Sequence, residues 1–576
     1  MTWIIRQLRI ERFRGIESLV WRPDPGMNVI LGGGDVGKTT ILEAIALLLH
    51  PTPAPALTDT DYWLRDVGPE FVIEAVISLP EGTVTTHQYK MMWPWGWDGE
   101  KLVIPADTEN GGGTQAEPVY VWRVRGTADM DLVHEVVHPN NKVEPLPQGV
   151  RRSIGLLRLI GDDRTEKDVI RNLLMLLGSR ELRGHLLRQL AREDATQRLD
   201  DEAKKMLSVL ESHFIERGLP SNLGLGITGG QGVSLNSLIT LTAQKDGVAL
   251  PLSSWGSGTR RLSALTIAKV MRSEPSVVLI DEIERALEPY RQRALVKELM
   301  ASGSQVFITT HSPAVVAAAA DASLWYMDAR GKLGRLPRSR IIRSHQQRDP
   351  ETFLARLTVV CEGATEVGFM SVILERTIGD YLEHGIWITD AGGNDEACAL
   401  LDALAEAGLT FAGVVDNENK KSGTWSQISS RLGDLLIQWP TGCLEEHVIP
   451  LFDHDVLPEL IADPKNELTG QRLRTLAVRL GIQDTKWETI VAAAGDRLVR
   501  LIIDAAKGDA EGVTKEKKGE YKGHAKVWFK SVEGGRELAE KVFRLGAWRK
   551  LKNDILPFVN AIRKALGFPQ IEELPA

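Results

Sequence analysis

The stretch NVILGGGDVGKTTILEAIALLL, residues 28–49, decides how the N-terminal half is read. A short apolar run ends on three glycines, and a run with helical apolar spacing begins at Lys38. Between them, Gly32-x-x-x-x-Gly37-Lys38-Thr39 has the spacing of a turn whose backbone N–H groups curl round phosphate oxygens. Gly32, Gly34 and Gly37 permit that curl. Lys38 reaches the terminal phosphates, the Thr39 hydroxyl ligates Mg²⁺, and Thr40 lines the same turn. A chance glycine-rich turn is the alternative. The strand before and the helix after are the context a phosphate-binding loop requires, so ATP with Mg²⁺ is expected.

Working outward, SVVLIDEIERAL (276–287) is an apolar strand ending on Asp281-Glu282. Asp281 is expected to hold the Mg²⁺ of ATP, and Glu282 to polarise the attacking water. QVFITTHSP (305–313) is a further strand that runs to His311, a candidate sensor of the γ-phosphate. Within PLSSWGSGTRRLSALTIAKV (251–270), a Ser/Gly turn at Ser257-Gly258 enters a helix, whose free N–H groups suit an anion.

The whole chain has 576 residues, too many for one core. Its 43% hydrophobic and 25% charged residues are those of a soluble globular protein. No apolar run is long enough to span a membrane, and the N-terminus lacks a signal peptide's apolar core. Cys361, Cys398 and Cys443 have no CxxC spacing, which speaks against a disulfide framework and a cysteine zinc site. A cytoplasmic location is expected. The net charge of −8 does not itself point to nucleic acid. Residues 515–530, however, hold six lysines against two glutamates, with Trp528 and Phe529 inside the run. Such a mixture is a solvated face or a phosphate-and-base contact.

The pattern gives an α/β multidomain chain. Residues 71–79 and 119–125 read as antiparallel strands, and the aromatic cluster WPWGW (93–97) fits either core or a contact surface. Residues 156–219 read as helical. Met206, Leu207, Leu210, Phe214 and Ile215 share one face, and the segment about 150–220 is a candidate dimerisation insertion. Strands return at 237–251. Residues 330–350 read as a polar linker. The expected domains are 1–345, 350–450 and a mostly helical 451–576.

A second chemical centre begins at LTVVCEGATEVGFM (357–370), where a buried strand ends on Glu362 and Glu366 follows one helical turn later. HGIWITDAGGNDEA (384–397) ends a strand on Asp390. FAGVVDNEN (411–419) ends one on Asp416 and Glu418, and GCLEEHVI (442–449) adds Glu445 and Glu446. Parallel strands bring their C-terminal ends to one edge. Uncompensated carboxylates there repel one another and suit Mg²⁺ or Mn²⁺. Two such ions can clamp the attacking and leaving oxygens of a phosphodiester. Separate solvated helix caps would explain any single pair, but three successive strand ends are harder to explain that way.

The order of P-loop, Ser-Gly turn, DE strand and His strand resembles the ATP-binding-cassette heads of the SMC and RecF type. In such heads one protomer's signature turn closes on ATP held by the other. Here the signature departs from LSGGQ and no Q-loop glutamine is evident. E-G-x-T-E followed by D-x-E resembles the Toprim domain, with Glu418 standing where a second Asp is usual. An ATPase head followed by Toprim is the architecture of the OLD (overcoming lysogenization defect) family of ATP-dependent endonucleases, including the Gabija nuclease group. The resemblance implies a metal-dependent DNA endonuclease regulated by ATP, a homodimer, and a role in phage defence or DNA processing. It also brings a helicase partner into consideration. It implies a catalytic lysine near the metals, with Lys522, Lys526 and Lys530 as candidates and Lys530 the choice. The alternatives are an ATP-gated DNA clamp or sensor that cuts nothing, and a topoisomerase-like enzyme, for which Tyr521 is the one tyrosine in a basic run.

Overall fold

The computed structural model describes residues 3–50, 56–78, 94–104, 116–153, 155–159, 201–227, 239–271, 276–418, 420–440, 442–463, 465 and 467–574. The chain divides into two compact units: one of residues 1–31 and 37–325, the other of 32–36 and 326–576.

In the first unit an antiparallel sheet runs Ile16–Trp21, Ile4–Phe13, Phe71–Ser78, Glu117–Gly126, Trp95–Trp97, Leu102–Val103. Trp97 lies in its core, while Trp95 donates its indole N–H to the Val137 carbonyl at 2.7 Å. Trp93 lies outside the described residues. A second sheet carries the parallel strands Leu156–Leu159, Val277–Ile280, Gln305–Thr309 and Met27–Leu31, in that order. The last three are buried along their whole length, as apolar runs without alternation require. The buried Gln305 amide joins the sheets: it accepts from Ile5 N at 2.8 Å and donates to Ile5 O at 3.0 Å.

Two expectations fail in the described residues. Leu156–Leu159 is an edge strand and not helix, because pairing with Val277–Ile280 overrides the leucines' local preference. Helix Asp201–Glu216 does form, but only Leu207, Leu210 and Phe214 of its apolar stripe are buried. Ile215 is 59% exposed, on the outer side. The rest of the expected helical insertion, 160–200, lies outside the described residues.

In the second unit four parallel strands stand in the order Ile386–Asp390, Leu357–Cys361, Ala412–Val415, Leu436–Gln438. Helices Ala364–Ile378, Asn394–Glu406 and Ser422–Leu432 connect them. The stretch read as a linker is structured. It contains strand Leu333–Arg335 and helix Arg340–Arg348, which buries Ile342, His345 and Gln346. The C-terminal region is helical and shares one core with the sheet. Helix Val532–Arg544 meets helix Ala364–Ile378 through glycines. A Cβ on Gly535 would stand 2.0 Å from the Thr365 carbonyl oxygen, and one on Gly368 would stand 1.9 Å from that of Val532.

A buried arginine organises this region. Arg472 is fully enclosed and pairs with Glu537 through both carboxylate oxygens, each at 2.7 Å. It also donates to Val527 O at 2.8 Å and lies over the Phe529 ring. Lys541 pairs with the same glutamate. Arg472→Ala strips the pair and leaves the enclosed carbonyls of Val527 and Ile461 (3.1 Å) without their donor. Unfolding by denaturant should reveal a loss of about 3–5 kcal/mol. A loss under about 1 kcal/mol would mean that the network is slack.

Candidate functional site

The nucleotide-type site lies at strand ends. Gly32 and Gly37 adopt φ of 127° and 103°, left-handed values open to glycine, and a Cβ on Gly32 would stand 2.2 Å from Met327 O. Lys38, Thr39 and Thr40 open the helix Lys38–Leu48. The Thr39 hydroxyl lies 3.1 and 3.2 Å from the two Asp281 carboxylate oxygens, so both proposed Mg²⁺ contacts share one locus. Sequence reading missed Thr309. Its hydroxyl donates to Asp281 at 2.5 Å and accepts from Glu282 N at 2.8 Å. Its place one strand over from Asp281 was the available signal. Glu282 is held at φ 46°, a strained value for a side-chain-bearing residue. His311 donates its backbone N–H to Glu284 at 2.6 Å, and its ring feels the charges of Lys38, Glu284, Glu282 and Asp281. Gly258 lets the Ser257 turn approach Ala286 closely, since a Cβ there would be 2.2 Å from its carbonyl oxygen.

The second site follows from strand order. In the sequence 2-1-3-4, connections leave strands 1 and 3 in opposite directions, and the crevice at their C-terminal ends is where ligands bind in such sheets. Glu362 ends strand 1 and Asp416 ends strand 3. Glu362 accepts from Asp416 N at 2.9 Å and from the Asn394 amide at 2.8 Å, and that amide also bonds Asp416 O at 2.9 Å. Asn394 therefore bridges both strand ends. In the sequence it stands just after Gly392 and Gly393, with no separate signal of its own. Glu366, in the first turn of its helix, caps Gly363 N at 3.1 Å. Asp416 accepts from Leu444 N at 3.1 Å, which seats the short helix Leu444–Val448 and turns Glu445 inward.

Glu445 is fully buried and neither carboxylate oxygen has a hydrogen-bond partner. Lys530 Nζ stands 3.1 Å from it as an ion pair. Burial, then the Glu445 charge, raises the Glu366 carboxyl above its ordinary pKa. Burial, then Glu366 and Glu362, does the same to Asp416. Burial opposes the Lys530 ammonium, but Glu445 and Glu366 hold its pKa above the usual value. Four carboxylates and one lysine thus act on one another electrostatically.

Three expected ligands stand elsewhere. Glu418 is exposed and paired with Lys420 at 2.8 Å. The backbone bridge of Asn417 to Gly442 turns the chain, which leaves residue 418 outward. Asp390 is exposed and caps Gly392 N at 2.8 Å; its strand is not at the crevice. Glu446 binds Lys507 at 2.8 Å and caps Cys443 N at 3.1 Å. Lys522, Lys526 and Lys530 are all exposed along part of their length, but only Lys530, which follows the buried Trp528 and Phe529, sets its Nζ against Glu445. Tyr521 stacks on His524 beneath the Arg479 guanidinium.

Among the described residues no group of three or more His, Cys, Asp or Glu side chains is arranged to hold a metal ion as it stands. The hydrogen bonds above explain this, since Glu362, Glu366 and Asp416 are each turned onto a backbone or amide donor. The donor chemistry nonetheless fits a hard divalent cation: clustered carboxylates, two with raised pKa, and one enclosed with the Lys530 ammonium against it.

Known proteins bear on the first unit. A family model described as "AAA domain, putative AbiEii toxin, Type IV TA system" matches residues 160–317. The DNA double-strand break repair Rad50 ATPase of Methanopyrus kandleri is 29% identical over 117 residues, 20% of this chain and 11% of that protein's length. Among solved structures, an Smc head bound to the C-terminal winged-helix domain of ScpA aligns at 13% identity and TM-score 0.36, covering 56% of this chain and 93% of that one. The recombination mediator RecF with ATPγS aligns at 15% and 0.33, covering 58% and 99%. Among the described residues no helix is long and apolar enough to cross a membrane. Residues 160–317 thus match an AAA-domain ATPase family, and the chain adds to them an α/β unit with a helical C-terminal region.

Proposed function

We propose that this chain is an ATP-regulated, divalent-metal-dependent DNA endonuclease whose second unit is a Toprim-like nuclease of the OLD type. The observation that carries the reading is the electrostatic cluster of Glu362, Glu366, Asp416, Glu445 and Lys530 at the crevice of the four-stranded sheet. Glu362, Glu366, Asp416 and Glu445 would hold the ions. Bound divalent ions supply Lewis-acid polarisation of the phosphodiester. Lys530 keeps its proton and offsets charge that builds on the phosphoryl oxygens. Asn394 fixes the spacing of Glu362 and Asp416. In the head, Lys38, Thr39 and Asp281 bind ATP with Mg²⁺, Glu282 acts on the attacking water, and the Ser257-Gly258 turn of a second protomer completes the site. ATP then governs assembly or DNA access, in a cytoplasmic homodimer that serves phage defence or DNA processing.

A plasmid assay tests this. Wild type should nick or linearise supercoiled DNA in Mg²⁺ or Mn²⁺, and chelation should stop it. An intact plasmid beside active ATP hydrolysis would leave the second reading, a non-cutting ATP-gated clamp. That reading draws support from Glu418, which pairs with Lys420 and not with the cluster. The same geometry makes a prediction under the nuclease reading: Glu418→Ala should lower cleavage by less than about threefold. A loss like that of the buried acids would mean that the 416–420 segment rearranges around the ions.

A further inference from the structure

Residues 329–348 hold seven lysines and arginines and no Asp or Glu, in a chain of net charge −8. All seven are exposed. Helix Arg340–Arg348 turns Ile342, His345 and Gln346 into the protein and leaves Arg340 and Arg343 outside. Its apolar face is already covered, so it has none to lay into a lipid surface. Arg340 stands in the first turn, which contains no acidic residue, against the helix dipole, while Arg348 in the last turn runs with it. A cation in the first turn is unfavourable by a few tenths of a kcal/mol. An exposed Arg340 in that position is a cation that a partner supplying negative charge would stabilise. At its other end Arg348 donates to the carbonyls of Asp390 and Ala391, both at 3.2 Å. Two residues on, Gly393 N donates to Glu362 O at 2.8 Å. The basic helix therefore runs into the turn that abuts the carboxylate crevice.

We infer that helix Arg340–Arg348, with the basic strand and turn before it, is a rail for the phosphate backbone of duplex DNA, leading to the carboxylate crevice. The inference rests on the nuclease reading for the choice of DNA. The charge pattern and its path stand apart from whether the crevice cuts. Each phosphate that an arginine neutralises releases counterion, so binding through the rail has a measurable salt slope.

The test is fluorescence anisotropy of a labelled DNA duplex with the full chain in EDTA, over a salt series. Arg340→Glu puts an acid where the helix dipole favours one, so a loss of binding does not come from a lost helix. It should weaken binding by roughly tenfold at 0.1 M salt and make the slope of log K against log salt shallower by about 1. Arg340→Lys should restore both. Unchanged affinity and slope in Arg340→Glu overturn the inference. So does an equal loss in Arg340→Lys, or a loss confined to an RNA duplex of the same sequence. Charge reversal of Lys517 and Lys518 provides a second check: if it removes the entire salt dependence, the DNA path runs over that segment and the rail falls. Because cleavage is not read, a protein that binds along the rail and cuts nothing overturns the nuclease reading alone. One that nicks plasmid with Arg340→Glu unimpaired in binding overturns the rail alone.

Discussion

Replacing Glu362 by glutamine is expected to slow plasmid nicking by about 10³-fold or more while ATP hydrolysis stays within about twofold of wild type. The substitution is nearly isosteric. Glu362 now accepts from the Asn394 amide and from Asp416 N, at 2.8 and 2.9 Å, and a glutamine carbonyl can accept both. The fold is therefore kept and one charge is removed. That charge is what distinguishes a cation ligand from a structural acceptor. If Glu362 only ties strand ends together, the glutamine enzyme cuts normally and the metal reading is lost. Asp416→Asn tests the partner, since an amide oxygen can still accept from Leu444 N, at 3.1 Å in the wild type. The double variant should be scarcely slower than either single one, because residues that act as a unit are not additive. Thermal melting of each variant guards against collapse as the cause.

What the sequence makes legible is set by where chemistry sits in a parallel sheet. Buried strands such as Val277–Ile280 and Leu357–Cys361 are continuous apolar runs, so the polar residue that ends each one stands out in the sequence. Asp281, Glu362 and Asp416 are legible for that reason. The choice among acids after the strand end is not. Glu418 fits a D-x-E spacing, yet the Asn417–Gly442 bridge turns it toward Lys420. Glu445, on a five-residue helix, is drawn in by the Leu444 N–Asp416 hydrogen bond. Such turns depend on contacts distant in sequence. The misreading of 330–350 has another cause. Helix Arg340–Arg348 buries one isoleucine but also His345 and Gln346, so its inner face is two-thirds polar and apolar periodicity cannot reveal it. Leu156–Leu159 errs the other way, as leucines with helical preference are recruited to a sheet edge. Lys530 is singled out by the family resemblance and not by its neighbours: Trp528 and Phe529 look like base-stacking aromatics in a basic run, but both are buried anchors.

Lys38→Ala is expected to bring ATP hydrolysis below about 1% of wild type, since the turn loses the one charge that reaches the terminal phosphates. Lys38 is almost fully buried at the head of its helix, with His311 within reach of its field. Nucleotide binding should weaken in parallel, which equilibrium binding of a fluorescent ATP analogue would measure. Glu282→Gln separates binding from turnover. Glu282 N is fixed by the Thr309 hydroxyl at 2.8 Å, and that hydroxyl also holds Asp281 at 2.5 Å, so the backbone and the Mg²⁺ ligand stay in place when the carboxylate is neutralised. ATP should then bind and persist. The pair defines the direction of control: Lys38→Ala isolates the empty head and Glu282→Gln the ATP-held head. If ATP opens the nuclease to DNA, cleavage falls in the first and rises in the second; if ATP restrains it, the signs reverse. Equal, wild-type cleavage in both variants would mean that the two centres work independently, and the claim that ATP regulates cutting would fall even with the nuclease intact.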